Sequence, residues 1–355
     1  MKRNRTAKQS PKTWVPAILV AAGCLGQRTE AWADDNTVHS VQNIFAPVSG
    51  PAETLNQIAI LVLVICAAIF LVVAGLTVYA VVRYRRRGPQ DDVSEPPQVY
   101  GSTAIELAWT VPPVLIVVVL VLVTARTIGE IRGPRTNAND ERVEIIGHRY
   151  WWEVRYPKYG VTSANEIHVP VNDRNVNEAT QLILKSVDTN HGFWVPQLAG
   201  KSWVVPNHEN AMFVQPWETG IYLGNCTVFC GDQHANMLIR VMVDSKENFQ
   251  KWLDQQKQAS PPDSAPNEGK NQFLVNSCGS CHRVNGTAAN GVFGPDLTHF
   301  ASRQTLGSGV APNDDDNLRS WLRDPQVLKP GCLMPNMKLS NPQVEQILAY
   351  LKTLK

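Results

Sequence analysis

The chain has 355 residues, 33 Lys and Arg against 31 Asp and Glu, and a net charge of +2, which gives no basis for a nucleic-acid partner. That length allows two or three domains. The hydrophobic share is 44 %, but it is concentrated in long runs, which excludes a plain soluble globule.

Residues 1–33 read as an export signal. "MKRNRTAKQSPK" is basic, and "WVPAILVAAGCLG" is apolar but too short to span a bilayer. Small residues at Ala31 and Ala33 place cleavage before Asp34. A rival reading takes "AAGC" as a lipidation box on Cys24, although Ala21 stands where such boxes favour leucine. Residues 34–57 follow as an extracytoplasmic segment.

Two membrane spans come next, within a hairpin over 58–125. Ile58–Val82 is 25 residues without a charge and Leu107–Ala125 is 19. About 20 apolar residues cross a bilayer core as a helix. Arg83, Arg85, Arg86 and Arg87 follow the first span. Four arginines in a short loop fix it in the cytoplasm, so everything after the second span lies outside. The chain is expected in a bacterial inner membrane, multi-pass, with its later domains on the periplasmic side. In that oxidising setting Cys226, Cys230, Cys278, Cys281 and Cys332 pair unless a metal or cofactor claims them.

Residues 141–244 read as all-β. Short β-branched and aromatic runs such as "TQLILKSV", "GIYLGNC" and "MLIRVMV" are separated by Pro, Gly and Asn, as in a small sandwich or barrel. Ser245 caps a short helix, "KENFQKWLDQQ", with Phe249, Trp252 and Leu253 on one face. "KQASPPDSAPNEGK" is a linker by composition, which gives a helix and linker over 245–270. Residues 271–355 form a small helical domain. Its last helix starts at Asn341 as cap, with Pro342 in the first turn and Val344, Ile347, Leu348, Leu351 and Leu354 at helical spacing.

"CGSCH", Cys278 to His282, is the c-type haem attachment pattern. Two thiols hold the macrocycle and His282 ligates iron. Neither a disulfide nor half a zinc site needs a histidine directly after the second cysteine. Met334, before a proline and the last helix, is the second axial ligand, with Met337 as runner-up. His299 is not needed as a ligand. Cys332 is read as a small buried residue.

"CTVFCGDQHANM", Cys226 to Met237, packs soft and borderline ligands into twelve residues. Three readings compete with a copper pair. Zinc would take four ligands in a closed tetrahedron. Blue copper has no use for a second cysteine. A disulfide leaves His234 and Met237 unexplained. Two thiolates, two histidines and one methionine suit two bridged coppers. The second histidine is sought on a neighbouring strand-end loop, where His191 leads and His148, His168 and His208 are alternatives.

Together these motifs resemble subunit II of haem–copper cytochrome c oxidases, in the bacterial caa-type form with a fused cytochrome c domain. "GHRYWW", "HGFWVPQLAGK", "CTVFCGDQHANM" and "CGSCH…LMP" stand in the family's order. The resemblance implies a multidomain membrane protein. Its parts would be a two-helix transmembrane hairpin, an all-β cupredoxin barrel or sandwich over 126–244, and an all-α class I cytochrome c domain. It implies a binuclear CuA centre on His191, Cys226, Cys230, His234, Met237 and the backbone carbonyl of Val228. The family usually has glutamate at that last position, whose carboxylate helps hold magnesium. Valine offers no hard oxygen, so no magnesium ligand is expected from it. The family's electron-entry aromatic corresponds to Tyr150, with Trp151 and Trp152 beside it. Glu106, at the mouth of the second span, matches a glutamate at a proton entrance. No catalytic residue for oxygen lies in this chain. The implied activity is electron input to a proton-pumping oxidase, from haem c to CuA and on to haem in catalytic subunit I, where oxygen becomes water. The implied partners are subunit I and the other oxidase subunits, cytochrome c or another upstream donor, and the lipid membrane. The alternatives are the electron-input subunit of a nitric oxide reductase with the same copper centre, or a membrane-anchored copper or redox carrier. Quinol oxidase subunits share the fold but lack the copper ligands.

Overall fold

The computed structural model describes residues 38–39, 42–86, 88, 98, 100–132, 141–174, 178–259 and 267–355. The export signal, with its Asp34 and Cys24 alternatives, lies outside the described residues, as do Arg87 and the centre of the linker.

After a short strand β1 (Val38–His39), helix α1 spans Gly50–Arg83 and α2 spans Thr103–Arg132. At 34 and 30 residues both exceed the charge-free spans expected for them. The apolar run marks only the part suited to hydrocarbon, and helical hydrogen bonding continues past it wherever water or protein surrounds the chain. At its start α1 is anchored in the β domain. Pro51 and Ala52 are buried, the Ser49 hydroxyl accepts from Gln215 N–H at 2.8 Å, and Glu53 pairs with Arg174 at 2.8 Å. At the far end of α2, Arg126 and Glu130 form an i,i+4 pair. The prolines Pro112 and Pro113 sit inside α2, a position that membrane helices tolerate.

The β domain is a two-sheet sandwich. Its strands are β2 (Glu141–His148), β3 (Trp151–Tyr156), β4 (Val161–Ala164), β5 (Glu166–Pro170), β6 (Thr180–Ser186), β7 (His191–Trp194), β8 (Ser202–Val204), β9 (Asn210–Val214), β10 (Gly220–Cys226) and β11 (Leu238–Asp244). One sheet runs β4-β3-β2-β6-β9 and the other β5-β11-β10-β7-β8, with β1 added parallel to β10. Aromatic side chains fill the space between. Trp152, Tyr156, Phe193 and Tyr222 are fully buried, and Trp152 meets Phe193 edge-on at 5.7 Å.

Helix α3 (Lys246–Gln256) starts as expected, with the Ser245 side chain accepting from Asn248 N–H at 3.2 Å. It buries Phe249 and Leu253, and Trp252 stacks on His168 at 4.1 Å. The last domain has helices α4 (Asn267–Val275), α5 (Cys278–Cys281), α6 (Asp315–Arg323), α7 (Pro325–Leu328) and α8 (Asn341–Leu351), with a two-residue hairpin β12 (Thr305–Leu306) and β13 (Ala311–Pro312). The cap of α8 is Ser340, not Asn341. Gln343 reaches back to the Ser340 N–H at 2.9 Å, a reciprocal pairing that Asn341, one position later, is not placed to make. All five apolar residues expected on that helix face are buried.

Candidate metal centres

The pairing of β7 with β10 brings the first cluster together. Cys226 ends β10 opposite Phe193, two residues after His191. His191 is the first residue of β7 rather than part of a loop, and its side chain is fully buried. The chain then turns through Cys230, a 3₁₀ turn at His234–Asn236, and Met237 before β11. Two backbone bonds fix the loop: Cys226 N–H donates to Met237 O at 3.1 Å, and Thr227 N–H to Gly192 O at 3.1 Å.

Within this frame the donors converge. The ligand atoms of His191, Cys226 and Cys230 all lie within 4.8 Å of one another. The sulfurs of Cys226 and Cys230 are 3.9 Å apart, far beyond disulfide length. Two sulfurs sharing an ion at about 2.3 Å each stand at most about 4.6 Å apart, so this gap suits bridging. His234 Nδ1 lies 3.8 Å and Met237 Sδ 4.0 Å from Cys230 Sγ. The Val228 carbonyl oxygen lies 3.3 Å from Cys226 Sγ.

The charge state of the cluster is prepared by its neighbours. A hydrogen bond from Cys230 holds the Cys226 thiol well below its ordinary range, and the same contact, with burial, pushes Cys230 up. His191 Nε2 donates to the Asp188 carboxylate at 2.9 Å, so the tautomer leaves Nδ1 as a lone pair. That Nδ1 is buried with no hydrogen-bond partner, an orphaned donor atom that a metal would satisfy. Asp188 is itself held by Arg149 N–H at 2.7 Å and Thr189 N–H at 2.6 Å. Sequence reasoning missed Asp188, although an acidic residue three before a metal-type histidine was a usable signal.

The other histidines are not part of the cluster. His148 binds Glu153 at 2.9 Å, His168 binds Asp244 at 2.7 Å, and His208 is exposed in a turn. Among the aromatics, Trp152 is core and touches the His191 ring at 5.8 Å. Tyr150 lies buried under the metal loop, its hydroxyl accepting from Asp232 N–H at 3.0 Å. Trp151 stacks on His148 at 4.2 Å and lines a cleft of about 470 Å³ facing Arg283, Gly291 and Gly294 of the last domain. None of the three is an open surface aromatic. Phe229, between the two cysteines, is 78 % exposed.

The second site is local. Cys278 and Cys281 are both free thiols, and burial pushes Cys278 up to about 11. His282 Nδ1 donates to the Pro295 carbonyl at 2.8 Å, which leaves Nε2 unprotonated for a metal. Gly294 lies against this ring, and a Cβ there would come within 2.5 Å of His282 Cε1. The Met334 sulfur is half-buried and accepts from Trp321 Nε1 at 3.2 Å. Met337 is half-buried. His299 is a structural pin: Nδ1 faces Lys355 O at 2.8 Å, and Nε2 faces Gln256 O and Gln258 O, each at 3.1 Å. Gln326 donates to the Cys332 carbonyl at 3.0 Å and to its sulfur at 3.3 Å. Glu106 is exposed in the first turn of α2.

A cytochrome c oxidase subunit 2 from Alkalihalophilus pseudofirmus is 31 % identical over 344 residues, covering 95 % of this chain and 94 % of that one. The chain belongs to the cytochrome c oxidase subunit 2 family. The Bacillus subtilis subunit 2 is 31 % identical over 299 residues, covering 78 % of this chain and 82 % of the relative. Family patterns divide the chain in the same order. The transmembrane domain of cytochrome c oxidase subunit II matches residues 38–126, its periplasmic domain matches 142–244, and cytochrome c matches 266–355. Among solved structures, the periplasmic domain of subunit II of the Bradyrhizobium japonicum cytochrome oxidase is 23 % identical, with a TM-score of 0.32, over 34 % of this chain and 96 % of that one. The chain is therefore a membrane-anchored oxidase subunit with a fused cytochrome c domain. Its subunit II and cytochrome c domains imply copper and haem c, and the thiols and imidazole nitrogens above are the donor types those groups need.

Proposed function

We propose that this subunit 2 is the electron-input arm of a proton-pumping cytochrome c oxidase. It takes electrons at a haem c on its last domain and passes them, through a two-copper centre, to haem in the catalytic subunit where oxygen is reduced to water. The observation that carries this reading is the cluster of two unpaired thiols 3.9 Å apart, flanked by a buried orphan imidazole nitrogen and a thioether. A closed zinc site would have no use for the thioether or for the Val228 carbonyl.

We assign the residue roles from the donor chemistry of these side chains. His191, Cys226, Cys230, His234, Met237 and the Val228 carbonyl would hold copper. Cys278 and Cys281 would bind haem covalently, with His282 and Met334 on its iron. When bound, the two groups supply one-electron transfer with little rearrangement. Asp188 keeps the His191 tautomer fixed, and the Pro295 carbonyl does the same for His282. Trp152 holds the His191 ring from behind and keeps water out of the sandwich. Arg83, Arg85 and Arg86 put the hairpin turn in the cytoplasm, so both exported domains lie on the periplasmic side of a bacterial inner membrane and Glu106 lies at the cytoplasmic face, where it would admit protons. The division this implies is a signal at 1–33, an N-terminal segment at 34–57, the hairpin at 58–125, the copper domain at 126–244, helix and linker at 245–270, and the haem domain at 271–355.

Metal analysis and EPR of the purified complex test the reading. Two coppers per chain with a multi-line mixed-valence signal, beside one covalent haem, are expected. A single copper or a zinc in a metal-replete sample would overturn it.

A further inference from the structure

Beyond the two centres, three segments of the haem domain rest on the copper domain, and two of these contacts hold a charged side chain out of solvent. The first lies at Glu166, the opening residue of β5 and only 3 % exposed. Its carboxylate accepts from Gln304 N–H at 3.0 and 3.1 Å, from Thr305 N–H at 2.9 Å and from the Thr305 hydroxyl at 2.9 Å. Every side-chain hydrogen bond among the described residues thus comes to it from the haem domain. A buried carboxylate is costly unless paired in this way, and the guanidinium of half-buried Arg303 supplies compensating charge.

The second segment joins Leu238, the residue after Met237. Leu238 N–H donates to Ser308 O at 3.2 Å, and the Ser308 hydroxyl donates back to Leu238 O at 3.1 Å. The third carries Lys329, also 3 % exposed. Its ammonium donates to Tyr150 O at 2.8 Å and to Gly307 O at 2.7 Å, with no carboxylate in a salt bridge among the described residues. Burial pushes this lysine down to about 7. Beside it, Gln233 Nε2 donates to Pro330 O, and Gly331 packs on Asp232. Asp232 and Gln233 directly precede His234, while 329–331 directly precede the Met334 segment.

We propose that Glu166, Gln233, Leu238 and Lys329 clamp the haem domain onto the copper loop as a fixed electron-transfer pair, joining the ligand-bearing segments of the two centres across the Gln233–Pro330 contact. The clamp deepens the relay reading and rests on it. It makes the transfer a unimolecular step in a preset geometry instead of a tethered search. It also covers the copper-loop surface at Tyr150 and Gln233, both buried, while Asp232 and Phe229 stay open to solvent. Tyr150 then serves as a floor: its hydroxyl holds the loop at Asp232 while its carbonyl holds Lys329.

The test uses the assembled oxidase, with haem-to-copper transfer followed after photochemical injection of one electron. Clamped, the wild-type rate is independent of solvent viscosity and salt. Glu166→Leu leaves the Gln304 and Thr305 donors without an acceptor, and Lys329→Met strands two carbonyls. Each should slow transfer about tenfold or more and make it viscosity-dependent, with the copper EPR signal and haem spectrum unchanged. Wild-type rates in both variants, or a wild-type rate that falls with viscosity, would overturn the clamp. Should either variant assemble poorly, amide exchange in the wild-type complex decides. Strong protection of Gln304 and Thr305 supports the clamp, and exchange at open-loop rates overturns it. Absence of any haem-to-copper transfer in wild type with both centres loaded would instead sink the relay reading, and the clamp with it.

Discussion

The proposed copper cluster and haem segment would hold their groups by opposite means. The residues proposed to attach the haem covalently, with the first axial histidine, lie within five positions, Cys278 to His282, on one short helix and the residue after it, and only the proposed Met334 ligand is distant in sequence. The residues proposed for copper run from His191 to Met237, and the β7–β10 pairing makes His191 and Cys226 neighbours. A covalent attachment needs a local motif and little else. A non-covalent pair of ions needs a cage already built, so its binding depends on the packing of the whole sandwich. The two centres should therefore respond differently to damage in the core.

Cys226→Ser is expected to have the largest effect. It removes a sulfur proposed to hold copper, so the mixed-valence signal should vanish and oxygen turnover fall on the order of 100-fold or more, while the haem spectrum stays intact. Loss of both centres together would break the comparison.

Trp152→Ala separates them next. The indole is fully buried against His191 and Phe193, so its loss should cost about 3–5 kcal/mol in the sandwich. Calorimetry should show the copper domain melting earlier and losing metal, with the haem domain's transition unmoved.

Glu106→Gln touches neither centre. Turnover in the assembled complex should fall several-fold while both spectra remain unchanged. Unchanged turnover would remove the proton-entry role.

Ser245→Ala is the smallest. It deletes the cap of α3 and should lower stability by about 1 kcal/mol, seen as a small shift in the denaturation midpoint.

The same contrast explains what the sequence made legible. The haem motif, the α3 cap and the apolar face of α8 are local patterns, and each is visible in a few consecutive residues. The copper loop was legible as a soft-metal cluster, but its partner His191 was reached through an aromatic-rich setting and a family resemblance, because strand pairing leaves no mark on the residues it joins. The cap of α8 was misplaced by one residue, because Ser340 and Asn341 both make good caps and only the reach of Gln343 decides between them. Asp188 carried a weak signal. Glu166 and Lys329 carried none. A glutamate opening a strand and a lysine in a Pro-rich loop read as surface charges until the second domain is seen to cover them.

The most direct test of the central claim is the order of electron movement when the fully reduced complex meets oxygen. The account predicts that the haem on Cys278 and Cys281 is oxidised only through the copper centre, so in a Cys230→Ser complex that retains haem but lacks copper, the haem should stay reduced while the catalytic subunit is oxidised. Oxidation of that haem at the wild-type rate without copper would contradict it.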